Sequence, residues 1–117
     1  MAKDYEMGVL RVRNGCVWLS IPYESIMYVK SNKYYTTIHT PREKIVTNTP
    51  FKVISRILPK RLFIRTHTEY LVAISQIEAL EPNKITLLNE DKVMMSKSYR
   101  DGVLKLLNDL GIIEGGF

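Results

Sequence analysis

The 117 residues contain one cysteine, Cys16, so no disulfide can close within the chain. Long apolar runs are missing too. Apolar stretches such as Tyr70–Ile74, Val93-Met94-Met95 and Ile112-Ile113 are all short, far below the roughly 20 residues needed to span a bilayer. Met1-Ala2-Lys3-Asp4-Tyr5-Glu6 has none of the apolar character of a secretory signal. Together these absences predict no membrane association and a cytoplasmic location. Metal-ligand spacing is also lacking, because Cys16, His39 and His67 are scattered and fit neither C-x-x-C nor H-E-x-x-H. No Gly-x-Ser-x-Gly elbow and no glycine-rich phosphate loop occurs, and the acidic residues are mostly isolated. Catalysis is therefore not expected, and no cofactor or metal is implied. Linkers, internal repeats and low-complexity segments are absent, so one domain over residues 1–117 is expected.

Acidic residues are scarcest in one stretch. From Lys30 to Arg65 the bases are Lys30, Lys33, Arg42, Lys44, Lys52, Arg56, Lys60, Arg61 and Arg65, and Glu43 is the single acid. That segment carries +8, and the remainder must carry −3 to give the overall +5. Such a block fits a polyanionic partner. With 45% hydrophobic and 25% charged residues, the chain can bury a core and is too apolar for disorder.

The pattern of residues predicts a mostly β, β-rich α+β fold. Asn14-Gly15 between Val9–Arg13 and Cys16–Leu19 is a strong hairpin signal with a type I′ turn. It would place Cys16 in an apolar strand as a buried, inert thiol. Further strands are expected at Ser25–Lys30, Tyr34–Thr40 and Lys44–Thr47, and then at Leu62–Ile64, Tyr70–Ile74, Lys84–Leu88 and Lys92–Met95. Ile77–Leu80 reads as a continuation of the Tyr70 strand. A short helix opens at Thr49-Pro50, with threonine as N-cap and Val53, Ile54, Ile57 and Leu58 on one face. Pro59 ends it. A terminal helix opens at Ser98, with Asp101 as a weak capping box. Its stripe is Tyr99, Val103, Leu106, Leu107 and Leu110, and Gly111 caps its end. The tail from Ile112 to Phe117 is expected to fray or to pack through its isoleucines.

Three polar turns could carry contacts. Ser31-Asn32-Lys33-Tyr34 combines a base with an aromatic ring. Arg65-Thr66-His67-Thr68-Glu69 is a polar segment between two apolar strands, which can hold donors rigidly. Lys97-Ser98-Tyr99-Arg100 opens a helix, where backbone N–H groups suit a phosphate. Each has a plainer reading, as a hairpin tip, a solvated turn and a helix cap. His39, at a strand end, reads as structural.

At these residues the chain resembles the LytTR family, the DNA-binding output domain of many bacterial response regulators. The resemblance runs from about Ile21 to Leu107. It rests on Ile21–Val29, on Asn32–Tyr35, on the helix through Ile54 and Leu58, and above all on Phe63–Val72. The last is similar to the family's Phe, Arg, His, polar, Ser, Tyr and aliphatic pattern. Met94–Tyr99 resembles the family's serine–arginine segment before the final helix.

The resemblance implies an elongated arrangement of short antiparallel β-sheets, with one short internal helix and a C-terminal helix. Strand-connecting loops would enter successive major grooves of duplex DNA. The implied DNA-binding residues are Lys33, Tyr34, His67, Thr68, Lys97, Ser98 and Arg100. Binding as a dimer or in tandem on repeated sites is implied, with a receiver domain or sensor kinase elsewhere, since no receiver segment is present. The chain departs from the pattern at four positions. Thr68 stands for arginine, lysine or asparagine, Glu69 for serine, Ala73 for asparagine and Lys97 for arginine. These changes bear on affinity and specificity, because lysine lacks the bidentate fork that reads guanine. Thr68, Glu69 and Ala73 also motivate a second reading, a β-rich interaction or sensory module that kept the fold and lost DNA readout.

Overall fold

A computed structural model describes residues 8–113. The tail positions 114–117, for which fraying or packing was expected, lie outside the described residues. Ten strands form three antiparallel sheets among the described residues. Strands β1 (Val9–Asn14) and β2 (Val17–Pro22) make a hairpin. The central sheet has the order β5-β4-β3-β7-β6. Its strands are β3 (Tyr28–Ser31), β4 (Thr36–His39), β5 (Lys44–Thr47), β6 (Phe63–His67) and β7 (Tyr70–Ala73). The third sheet orders β10 (Lys92–Met94), β9 (Lys84–Leu87) and β8 (Ile77–Glu81). Helix α1 spans Phe51–Ile57 and α2 spans Lys97–Asp109. Extents are 47 × 38 × 24 Å.

The central sheet is covered on both faces. Successive strand residues point to opposite sides. Val29, Ile38, Phe63, Leu71 and Ala73 therefore join Leu10, Val12 and Ile21 of the hairpin and Phe51, Ile54 and Leu58 of the α1 segment in one core. Tyr28, Ile64 and Val72 join Ile85, Leu87 and Val93 of the third sheet and Val103 and Leu107 of α2 in another. Burial on both sides explains why β7 reads as a continuous apolar run instead of alternating.

Several local expectations change. The hairpin turn centres on Gly15-Cys16, because Asn14 pairs with Val17 in the ladder. Gly15 has φ +63° and Asn14 is not in the left-handed region. A glycine at the first central position is the II′ arrangement. Cys16 is consequently exposed at the tip and not buried. Thr49 does not cap α1, since Pro50 holds the N-cap position without a side-chain bond. The Thr49 hydroxyl accepts the Arg13 N–H at 3.1 Å instead. In α1, Val53 and Ile57 face outward and Phe51, Ile54 and Leu58 inward. Ile77–Glu81 is not a continuation of β7, because a 3-10 turn at Ile74–Gln76 carries the chain into another sheet. The α2 N-cap is Ser96, and Lys97 is the first helical residue. Gly111 ends α2 as expected, with φ +74°. Its N–H reaches Asn108 O at 3.0 Å and the Ile112 N–H reaches Leu107 O at 2.9 Å, a Schellman closure.

His39 stacks on Tyr28 with centroids 4.0 Å apart. Burial, then the Lys44 charge, lowers its pKa from the ordinary 6.5, against a smaller opposing effect of Asp91 and with a further lowering from Lys30. The unfolded histidine takes up a proton that the folded one resists. Stability present above pH 6.5 is thus lost as the pH falls below it, through the lowered folded value. Urea midpoints followed from about pH 7.5 to about pH 5 should fall, and fall less in His39→Gln. Equal pH slopes would remove His39 as the cause.

Candidate nucleic-acid interface

Antiparallel pairing places three segments at one end of the central sheet. β3 ends there at Ser31, β7 begins there at Tyr70, and β6 ends there at His67. The β3–β4 turn and the β6–β7 turn are joined directly, by the Ser31 N–H to Glu69 O bond at 2.8 Å. The entry to α2 is joined to β6 by the Ser96 N–H to Thr66 O bond at 2.9 Å. Thr66, fully buried, donates its hydroxyl to Met94 O at 2.8 Å. These bonds hold the turns at residues 32–35 and 68–69 and the segment 96–99 in fixed relation.

Asn32 builds the first turn. Its N–H donates to Tyr35 O at 2.8 Å, and its side-chain amide donates to Lys30 O and Thr37 Oγ1, each at 3.3 Å. With the backbone closed in this way, Lys33 and Tyr34 project outward. Tyr34 is 81% exposed, and the Lys33 ammonium lies 5.3 Å from its ring centroid.

The second turn is tighter than expected, because β6 continues through His67 with an irregularity between Arg65 and His67. His67 Nδ1 accepts the Glu69 N–H at 3.0 Å. An accepting Nδ1 leaves Nε2 as the ring's donor. The ring meets Tyr70 edge-on at 5.9 Å. Burial, and then the Glu69 charge, raise the Tyr70 pKa, which keeps its hydroxyl a donor. Thr68 and Glu69 are exposed at the tip.

Arg65 buttresses this turn from behind. Its Nε donates to His67 O at 2.9 Å and its Nη2 to Thr68 O at 2.7 Å. The guanidinium carbon lies 4.8 Å from the Phe51 ring centroid and 5.8 Å from that of Tyr99. One side chain thus links β6, α1 and α2.

At the third segment, Lys97 and Ser98 are exposed in the first turn of α2, and the Ser96 and Ser98 hydroxyls lie 3.2 Å apart. Arg100 is separate from them. It lines a cavity of about 350 Å³ with Leu80, Glu81 and Pro82, and its Nε is buried without a hydrogen-bond partner among the described residues. Of the seven residues expected to bind, the structure brings Lys33, Tyr34, His67, Thr68, Lys97 and Ser98 to one end and turns Arg100 toward the third sheet.

The basic block divides. Lys30, Lys33 and Arg65 lie with the three segments. Arg42 lies beside Pro22 and Ser25, Lys44 pairs with His39, and Arg61 lies beside Tyr23 and Glu24, all toward the other end. Asn32 and Arg65 gained their positioning roles only in the structure. Arg65 stood in the polar segment, but its partners Phe51 and Tyr99 are distant in sequence.

A family model described as the LytTr DNA-binding domain matches residues 17–108. Over 89 residues the chain is 28% identical to "Sensory transduction protein LytT" of Bacillus anthracis, and equally to that of Bacillus cereus. In each case the match takes in 72% of this chain and 36% of the relative. The chain thus spans about a third of the length of these curated relatives. A solved LytTr DNA-binding domain from Bacillus cereus superposes with a TM-score of 0.74 at 24% identity, covering 85% of this chain and 95% of that one. No described helix is long and apolar enough to cross a membrane. With the family model covering most of its length and the strand-rich fold agreeing, this chain belongs to the LytTR family of DNA-binding domains.

Proposed function

We propose that the chain reads a specific duplex sequence as the output domain of a bacterial transcriptional regulator, with its three joined segments set into successive major grooves. One observation carries this reading. Two backbone hydrogen bonds, Ser31 to Glu69 and Ser96 to Thr66, hold three exposed polar segments on one end of the scaffold. A major groove about 12 Å wide admits such protrusions as it admits a helix. The chain acts as a single domain, and a receiver domain or partner kinase supplies the signal. Two copies, or tandem copies, on repeated sites would give the footprint its length.

The roles differ by chemistry. Lys33 and Lys97 neutralise phosphate, with the α2 N-terminus behind Lys97 and Ser98. Tyr34, His67 and Thr68 reach base edges, His67 through its Nε2 proton. Arg100, set toward the third sheet, contributes less than its place beside Ser98 implies.

The test begins with selection of bound sequences from a random duplex pool. On the selected site, Lys97→Ala should weaken binding about equally for selected and random duplex. His67→Ala should narrow the selected-to-random ratio by about 1–3 kcal/mol, the usual worth of a base contact. Since His67 also orders its own turn, His67→Asn separates the two roles. The asparagine oxygen can accept the same N–H two residues on. Stability should then return toward the parent while the preferred sequence changes. A His67→Ala protein that discriminates as well as the parent removes this ring from the reading surface. A pool that yields no enriched sequence overturns sequence-specific reading.

A further inference from the structure

Strand β1 lies outside the segment that the family model matches and β2 opens that segment, and the outer face of their hairpin has a distinct chemistry. Leu10 and Val12 are fully buried, so alternation sends Arg11 and Arg13 outward. Their ladder partners are Ser20 and Trp18. Trp18 is 66% exposed, with the Arg13 guanidinium 5.5 Å from its ring centroid. No aspartate or glutamate occurs from Gly8 to Pro22.

The hairpin is also held rigidly, and at a telling place. Arg13 O accepts both the Thr47 hydroxyl and the Asn48 N–H, and the Gly15 N–H donates to Asn48 Oδ1 at 2.7 Å. Thr47 pairs with Thr36, which directly follows the β3–β4 turn. Two steps of one strand spacing each put Arg13 on the order of 10 Å from that turn.

We propose that this outer face is a further DNA contact, in which Arg11 and Arg13 bind backbone phosphates flanking the segment that the three turns read. The inference rests on the proposed duplex reading. Charge selects the occupant. Two outward guanidiniums on an acid-free, pre-ordered ribbon match a phosphate backbone, which arginine binds through its fork of N–H donors.

The experiment uses the selected site in two duplexes, one ending at the edges of the site and one extended by a helical turn on each side. Salt titrations compare the parent with the double variant Arg11→Ala, Arg13→Ala. Losing two phosphate contacts should flatten the slope of log affinity against log salt by about 1.8, so from about 50 to 200 mM salt the parent should lose roughly tenfold more affinity than the variant. The difference should appear on the extended duplex and vanish on the short one. Trp18 is the only tryptophan, so its emission reports on this face directly. Iodide quenching of Trp18 should fall on the extended duplex alone.

Equal slopes on the extended duplex overturn the proposal while leaving the three-turn reading intact. Failure of the parent to bind either duplex overturns both. Protection of Trp18 that grows with protein concentration without DNA assigns the face to a second copy and overturns the proposal. Matching urea midpoints for parent and variant ensure that the slopes compare folded proteins.

Discussion

Leu107→Ala should lower the stability of the domain by about 2–5 kcal/mol, read as a drop in the urea midpoint. Leu107 is fully buried, and it sits among Val72, Ile85, Leu87 and Val93 in the core beneath α2. Truncation removes the transfer energy of its methyl groups and leaves a cavity that two flanking sheets cannot close. Leu110→Ala is the internal contrast. Leu110 belonged to the same expected stripe, yet it is 46% exposed at the helix end, so its loss should change little. Leu106, partly buried, should fall between them. A Leu107→Ala midpoint equal to that of Leu110→Ala would mean that α2 does not dock through this face.

The second large effect is expected at Arg65. Its two donated bonds, to His67 O and Thr68 O, are charge-assisted, and such bonds are worth about 1.5–3 kcal/mol each before solvent exposure reduces them. Arg65→Ala should therefore cost on the order of 2–3 kcal/mol of stability and also weaken binding to the selected duplex. The loss of binding would come through a displaced turn, since the carbonyls it holds belong to the residues proposed to face DNA. Arg65→Lys tests the geometry. Lysine keeps the charge but cannot donate to two carbonyls as a planar fork or lie flat between the Phe51 and Tyr99 rings. Its affinity should stay near that of the alanine variant. Full recovery by lysine would show that Arg65 acts by charge alone.

Much of the strand pattern was legible in the residues. Tyr70–Ala73, Lys84–Leu87 and Lys92–Met94 emerge close to their expected bounds, because local β-propensity and the tertiary environment agree there. Disagreements arise where a distant segment intervenes. Thr49 is a good cap by its own chemistry, but β1 claims its hydroxyl. The hairpin turn shifts by one residue because the ladder pairs Asn14 with Val17, and Cys16 moves from core to tip with it. Ile77–Glu81 changes sheets at a 3-10 turn that periodicity does not announce.

The three candidate turns were legible from their polar residues between apolar strands. That they form one surface was implied only by the family resemblance; the residues alone do not carry it, since it depends on the β3–β7 pairing. The turn of Arg100 toward Pro82 and the third sheet was not legible either. It follows from helical phase: Arg100 lies two residues past Ser98, on another side of α2.

The two-faced central sheet also bears on how fast the chain can fold. Its middle pairing matches Tyr28 with Val72 and Val29 with Leu71, partners roughly forty residues apart whose approach carries a loop-closure entropy cost. Adjacent positions on β3 and β7 feed opposite cores, so neither core can condense until that long-range pairing exists. Hairpins such as β9–β10 can form early, but they have nothing to pack on. Folding should be a single slow event on the millisecond-to-second scale typical of nonlocal β topologies, with both cores gained together.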